Sequence, residues 1–128
     1  MAVRPKNILL VDDEKSFLLS LSEGLKITSE DFKIFIAENG REALEIFRSG
    51  LPIDVMVTDL NMPEMNGFEL LGSVKKDFSV TRVIVLTGCL TPEIKKRLNT
   101  IGNYVCMEKT TSLDRLWREI IHELGFSF

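Results

Sequence analysis

Five times along the chain a short run of β-branched and apolar residues gives way to an amphipathic stretch, and this alternation restricts the fold more than any other feature. Strands that alternate with helices pair in parallel, because each crossover helix returns the chain to the same edge of the sheet and covers one of its faces. The spacing predicts strands from Asn7 to Val11, Phe32 to Ala37, Ile53 to Thr58, Arg82 to Thr87 and Tyr104 to Met107. Most of these are near-continuous apolar runs, as burial on both faces requires.

Helices are expected in the gaps. The first, from about Lys15 to Ile27, offers Phe17, Leu18, Leu21 and Leu25 as its apolar stripe, and the second, starting near Gly40, offers Ala43, Leu44 and Phe47 before Gly50 and Pro52 end it. The third runs from about Gly67 to Lys76 with Phe68, Leu70, Leu71 and Val74 on its apolar positions. Thr91-Pro92-Glu93 combines a capping hydroxyl, a first-turn proline and an acidic residue, and so starts the fourth. The fifth opens at Thr111 or Ser112, directs Leu113, Leu116, Trp117, Ile120, Ile121 and Leu124 towards the sheet, and closes at Gly125.

A chain of 128 residues has room for one domain with one real core, so residues 1–128 are read as a single unit. The net charge of -3 supplies no basic field for a polyphosphate backbone, and no nucleic-acid binding is expected of it. Apolar runs such as Ile8 to Val11 and Val83 to Leu86 stop at four residues, far short of the roughly 20 that span a bilayer. No membrane association is expected. The first residues, Met1 to Pro5, lack the apolar stretch of a secretion signal, which points to the cytoplasm. Cys89 and Cys106 have neither metal-ligand spacing nor the company of a disulfide framework.

In open parallel sheets, ligands bind where the strands end. The strand ends here carry Asp12-Asp13, Asp59, Thr87 and, just past the fifth, Lys109. Each has a plainer reading when taken singly: a helix cap, a turn aspartate, a strand threonine, a solvated lysine. Falling together at one edge, the three carboxylates would repel one another unless a cation neutralised them. Magnesium fits best, since it favours hard oxygen donors and accepts one or two carboxylates together with phosphate oxygens. Lys109 and Thr87 add the positive charge and hydroxyl that a phosphoryl group needs, so the set reads as a phosphate site.

The segments Asn7-Ile8-Leu9-Leu10-Val11-Asp12-Asp13-Glu14 and Asp59-Leu60-Asn61-Met62-Pro63-Glu64-Met65-Asn66-Gly67-Phe68-Glu69-Leu70 resemble the opening and the phosphorylation segment of the receiver domains of bacterial two-component response regulators. Ala37-Glu38-Asn39-Gly40-Arg41-Glu42-Ala43-Leu44 is similar to the family's entry into its second helix, so the resemblance spans essentially the whole chain. It implies a flavodoxin-like α/β fold, five parallel strands in order 2-1-3-4-5 with helices on both faces. It further implies that Asp59 accepts a phosphoryl group from a phosphohistidine of a sensor histidine kinase or phosphotransfer protein. Asp13 and Asp59 would ligate Mg2+ directly, with the Asn61 backbone carbonyl as a third ligand and Asp12 acting through water. Thr87, Gly88 and Lys109 would meet the phosphoryl group. The chain would be no enzyme towards other molecules, catalysing only its own phosphorylation and slow dephosphorylation.

Three positions depart from the family pattern. Cys106 stands where an aromatic residue is usual, with Tyr104 two residues earlier; Thr110 replaces a proline after Lys109; and Gly88 replaces an alanine, keeping access to Asp59 open. A non-proline cis bond costs roughly 2.5–4 kcal/mol, so the Lys109-Thr110 bond is expected to be trans. Cys106 and Thr110 also motivate an alternative, a phosphorylation-independent interaction module on the same fold. An effector domain and a homodimer through the last two helices are both compatible with the sequence. His122, the sole histidine, falls on the polar side of the last helix.

Overall fold

A computed structural model describes residues 5–26, 32–62 and 65–125. The alternation resolves into β1 (Lys6–Val11), α1 (Lys15–Lys26), β2 (Phe32–Ala37), α2 (Gly40–Arg48), β3 (Val55–Thr58), α3 (Gly67–Asp77), β4 (Arg82–Thr87), α4 (Pro92–Asn99), β5 (Val105–Glu108) and α5 (Leu113–Glu123). The five strands form one parallel sheet in the order β2-β1-β3-β4-β5. The expected fold class is therefore the observed one.

Period-two alternation divides even the continuously apolar strands between two cores. Ile8, Leu10, Val55, Val57, Ile84 and Leu86 face one way, with Leu18, Leu21 and Leu25 of α1 and Leu116 and Ile120 of α5. Leu9, Val11, Met56 and Val85 face the other, with Ala43, Leu44 and Phe47 of α2, Leu70, Leu71 and Val74 of α3, and Leu98 of α4. Side-chain caps start four of the helices: Asn39, Asn66, Thr91 and Ser112 each accept a hydrogen bond from the backbone N–H three residues on. Gly50 and Gly125 take φ of +90° and +87°, the left-handed conformation that ends a helix cheaply only at glycine.

Boundaries differ from expectation in three strands, β1 beginning one residue earlier, at Lys6 rather than Asn7. β3 begins at Val55 rather than Ile53, because Asp54 is committed to a junction at the opposite edge: Asn7 N–H donates to its carboxylate at 2.8 Å, and its carbonyl accepts from Arg82 N–H at 3.0 Å. β5 lies one residue later than expected, paired from Ile84–Val105 to Thr87–Glu108. Leu113, expected to face the sheet, is 41% exposed and lies against α1 at Gly24 instead. Trp117 is half-buried, edge-on to Phe32 at 5.0 Å. Ile27, the expected end of the first helix, lies outside the described residues. Among the described residues no helix is long and apolar enough to cross a membrane.

Candidate functional site

The sheet's hydrogen-bond ladder runs one rung past the strands and thereby fixes the backbones of the polar residues that follow them. Asp12 N–H donates to the Ala37 carbonyl at 3.1 Å, Asp59 N–H to Val11 at 3.0 Å, and Lys109 N–H to Thr87 at 2.9 Å. Strand parity then sets the side chains. Asp12 continues the series Ile8, Leu10; Asp59 continues Val55, Val57; Lys109 follows Met107; all three emerge on the α1/α5 face. Three residues separated by up to 97 positions in sequence meet as a consequence of register alone.

They meet closely. Lys109 Nζ lies 2.8 Å from Asp12 Oδ2 and 3.0 Å from Asp59 Oδ2, and the two carboxylates are only 4% and 6% exposed. The other Asp59 oxygen, Oδ1, accepts from Leu60 N–H at 2.7 Å, which leaves Oδ2 on the lysine side. Glu14 completes the set: its N–H donates to Asp12 Oδ1 at 2.9 Å and its carboxylate accepts from Lys109 at 2.9 Å. The Phe17 ring lies 5.0 Å beneath the ammonium, where its electron-rich face favours positive charge. At the end of β4, whose Thr87 carbonyl accepts the Lys109 N–H, the Thr87 hydroxyl is completely buried and has no hydrogen-bond partner among the described residues. Buried hydroxyls are rarely left so.

Three carboxylates, those of Asp12, Glu14 and Asp59, thus surround one ammonium, with Asp13 beside Asp12 and Asp59. Burial pushes the Asp12 carboxyl above its ordinary value of 3.8, against the opposing hydrogen bonds from Lys109 and the Glu14 N–H. For Lys109 burial works downwards, but the hydrogen bonds to Asp12, Glu14 and Asp59 override it and hold the ammonium well above its ordinary 10.5. Burial thus prevails at Asp12, whereas the carboxylate partners prevail at Lys109. Carboxylate oxygens of Asp12, Asp13 and Asp59 approach within 4.8 Å of one another, with Asp13 exposed to solvent. A donor set made only of hard oxygens, with one face open to water, suits Mg2+.

The sequence profile of the response regulator receiver domain matches residues 8–121. The chain belongs to this family. It is 37% identical to the transcriptional regulatory protein GlrR of Escherichia coli over 88 residues, which are 69% of the chain and 19% of that protein. It is 38% identical to a probable cyclic di-GMP phosphodiesterase of Vibrio cholerae over 88 residues, 67% of the chain and 19% of that protein. The chain therefore spans about a fifth of the length of these relatives. Among solved structures, the receiver domain of a response regulator from Clostridium thermocellum superposes with a TM-score of 0.83 at 27% identity, covering 94% of each chain. A CheY-like receiver domain from Methanospirillum hungatei does so with a TM-score of 0.86 at 25% identity, again over 94% of each.

Of the receiver positions expected from sequence, Asp12, Asp13, Asp59, Thr87 and Lys109 gather at one edge. Asn61 and Gly88 are exposed on the loops beside them. A Cβ built at Gly88 would meet nothing within 4 Å, so this glycine is not demanded by crowding. Cys106 is half-buried against the α2/α3/α4 core, its thiol donating to the Tyr104 carbonyl at 3.6 Å. Among the described residues no peptide bond is cis, Lys109-Thr110 included. Met62 and Met65 pack against the same core, as loop residues rather than a binding stripe. Glu14 was not singled out in the sequence, where a carboxylate opening a helix is unremarkable and its ion pair spans 95 positions. A wider groove of about 630 Å³ lies at the opposite edge, lined by the strand starts at Lys6, Asp54 and Arg82 and by Leu124.

Proposed function

We propose that this receiver accepts a phosphoryl group on Asp59 from the phosphohistidine of a sensor kinase or phosphotransfer protein, and that an altered surface carries the signal to an effector. The observation that carries this reading is the Lys109 ammonium braced between Asp12 and Asp59, together with the unpartnered Thr87 hydroxyl at the end of β4. A nucleophilic carboxylate, a fixed cation and a free donor are what phosphoryl transfer asks of its acceptor.

Asp13, Asp59 and the Asn61 carbonyl would hold Mg2+ directly and Asp12 through water. When bound, that ion neutralises the carboxylates and withdraws charge from the phosphoryl oxygens. Asp59 presents Oδ2 as the attacking oxygen, since Oδ1 is held by the backbone N–H of Leu60 while the contact at Oδ2 comes from a side chain, Lys109, that can turn to the phosphoryl group. Lys109 offsets charge on the transferred group, and Thr87 donates its hydroxyl to it. With Asp12 and Asp59 almost fully buried, these interactions act where water screens them little. The chain catalyses its own phosphorylation and slow hydrolysis and no reaction on another molecule.

Incubation with Mg2+ and acetyl phosphate is expected to add one phosphate, detected by intact mass, and Asp59→Asn to abolish it. Failure of both acetyl phosphate and a cognate kinase to phosphorylate the wild type overturns the proposal.

A further inference from the structure

Lys109 carries three N–H donors, and all three are spent, on Asp12 Oδ2, Glu14 Oε1 and Asp59 Oδ2 at 2.8, 2.9 and 3.0 Å. An ammonium so engaged has no proton left for an incoming phosphoryl oxygen, and one contact must be surrendered. The acceptor chemistry selects which. As Asp59 Oδ2 forms its bond to phosphorus, the bond from phosphorus to the donor's leaving atom breaks and its electron pair departs with the donor. Oδ2 thereby loses the negative charge that held the lysine, a charge that leaves with the donor, while the phosphoryl oxygens bring their own negative charge into the lysine's reach. Asp12 and Glu14 take no part in bond making, so their two contacts persist and aim the freed N–H at the new group.

We propose that Glu14 is a positioning residue: with Asp12 it forms a two-point tether that directs the third proton of Lys109 onto the phosphoryl group. The inference rests on the reading of Asp59 as phosphoacceptor. Its geometry is independent of that reading. Glu14 opens α1, its carbonyl accepting the N–H of Leu18 at 3.0 Å, yet its carboxylate reaches across the sheet edge to the residue just beyond β5. Its own N–H donates to Asp12 Oδ1, so the two anchors brace each other as well as the lysine. A single buried anchor would leave the ammonium free to rotate about it; two fix a direction, and orientation is what converts proximity into rate.

The test compares Glu14→Ala and Glu14→Gln with the wild type in the intact chain, using Mg2+ with acetyl phosphate and, separately, phosphoramidate, which carries less negative charge at neutral pH. Glu14 is 62% exposed, and pairs of that kind contribute little to stability, so both variants should unfold at the wild-type temperature. Glu14→Ala is expected to slow phosphorylation of Asp59 about three- to five-fold with both donors. Glu14→Gln, which keeps a hydrogen-bond acceptor without the charge, should recover part of the loss. In the metal-free protein, the ammonium resonance that disappears in Lys109→Arg should be ordered in the wild type and broadened in Glu14→Ala. Unchanged or faster phosphorylation in Glu14→Ala, equal rates in the two variants, a loss seen with one donor only, or an unaltered ammonium resonance overturns the tether. No phosphorylation of the wild type by any donor overturns the phosphoacceptor reading and the tether with it.

Discussion

Two glycines of α3 offer the same substitution with opposite expected results. Gly67 opens the helix where it crosses the phosphorylation segment, its N–H donating to the Leu60 carbonyl at 2.9 Å. A Cβ there would lie 2.5 Å from the Asp59 carbonyl oxygen and 2.5 Å from Leu60 Cα, both backbone atoms. Ordinary carbon contacts sit near 3.5–4.0 Å, so Gly67→Ala must part the helix from the end of β3 by roughly 1 Å. Asp59 is pinned to Val11 through its N–H, so the strain falls on the acceptor itself. Gly72, one and a half turns on, would receive a Cβ with nothing within 4 Å. Alanine in a helix interior is favoured over glycine by about 1 kcal/mol, so Gly72→Ala should stabilise by about 0.5–1 kcal/mol. Overpacking costs about 1–3 kcal/mol, which places the two variants about 1.5–4 kcal/mol apart in urea unfolding, with the slope unchanged. Gly67→Ala should also slow Asp59 phosphorylation, whereas Gly72→Ala should not. Equal stability of the two variants refutes the close approach of helix and phosphorylation segment.

The raised Lys109 value has a definite sign. Below 10.5 the lysine is protonated in both the folded and unfolded chain and its ion pairs contribute in full, whereas above 10.5 the unfolded chain loses the proton first, so stability falls as pH rises through the folded value. Lys109→Arg keeps its charge throughout, and the difference between its alkaline unfolding profile and the wild type's should show that loss; parallel profiles would count against it. The two cysteines should separate in alkylation by iodoacetamide, read by peptide mass. Cys89 is exposed and should react first, while burial raises the half-buried Cys106 thiol above its ordinary 9.0, with Lys95 opposing, and slows it. Cys106 reacting as fast as Cys89 would contradict that placement.

The site was legible in the sequence wherever backbone register alone decides position. Asp12, Asp59 and Lys109 each stand one step past the end of a strand, and a parallel sheet has only one edge at which such steps can coincide. The helix starts were legible for a similar reason, since Asn39, Asn66, Thr91 and Ser112 act on backbone three residues away. The misplaced start of β3 was not, because Asp54 answers to Asn7 and Arg82, which are remote in sequence. Leu113 was assigned to the sheet by its helical period, but periodicity says nothing of the gap that Gly24 leaves on α1.

Lys109 shows where legibility stops and why. Its backbone position follows from the ladder through Thr87, and its identity as a cation at an acidic edge follows from Coulomb's law. Its partners do not follow, because a side chain with four methylenes and three donors can choose among several carboxylates within reach, and burial makes the choice. Asp12 and Asp59 are buried acceptors that would be costly to leave unpaired, so they claim two donors. The third goes to an exposed residue, Glu14, that gains little stability from it. A contact of small energetic weight at the centre of a phosphoryl site has its consequence in direction rather than in stability, and it became visible only once the positions of all three carboxylates around one nitrogen were known.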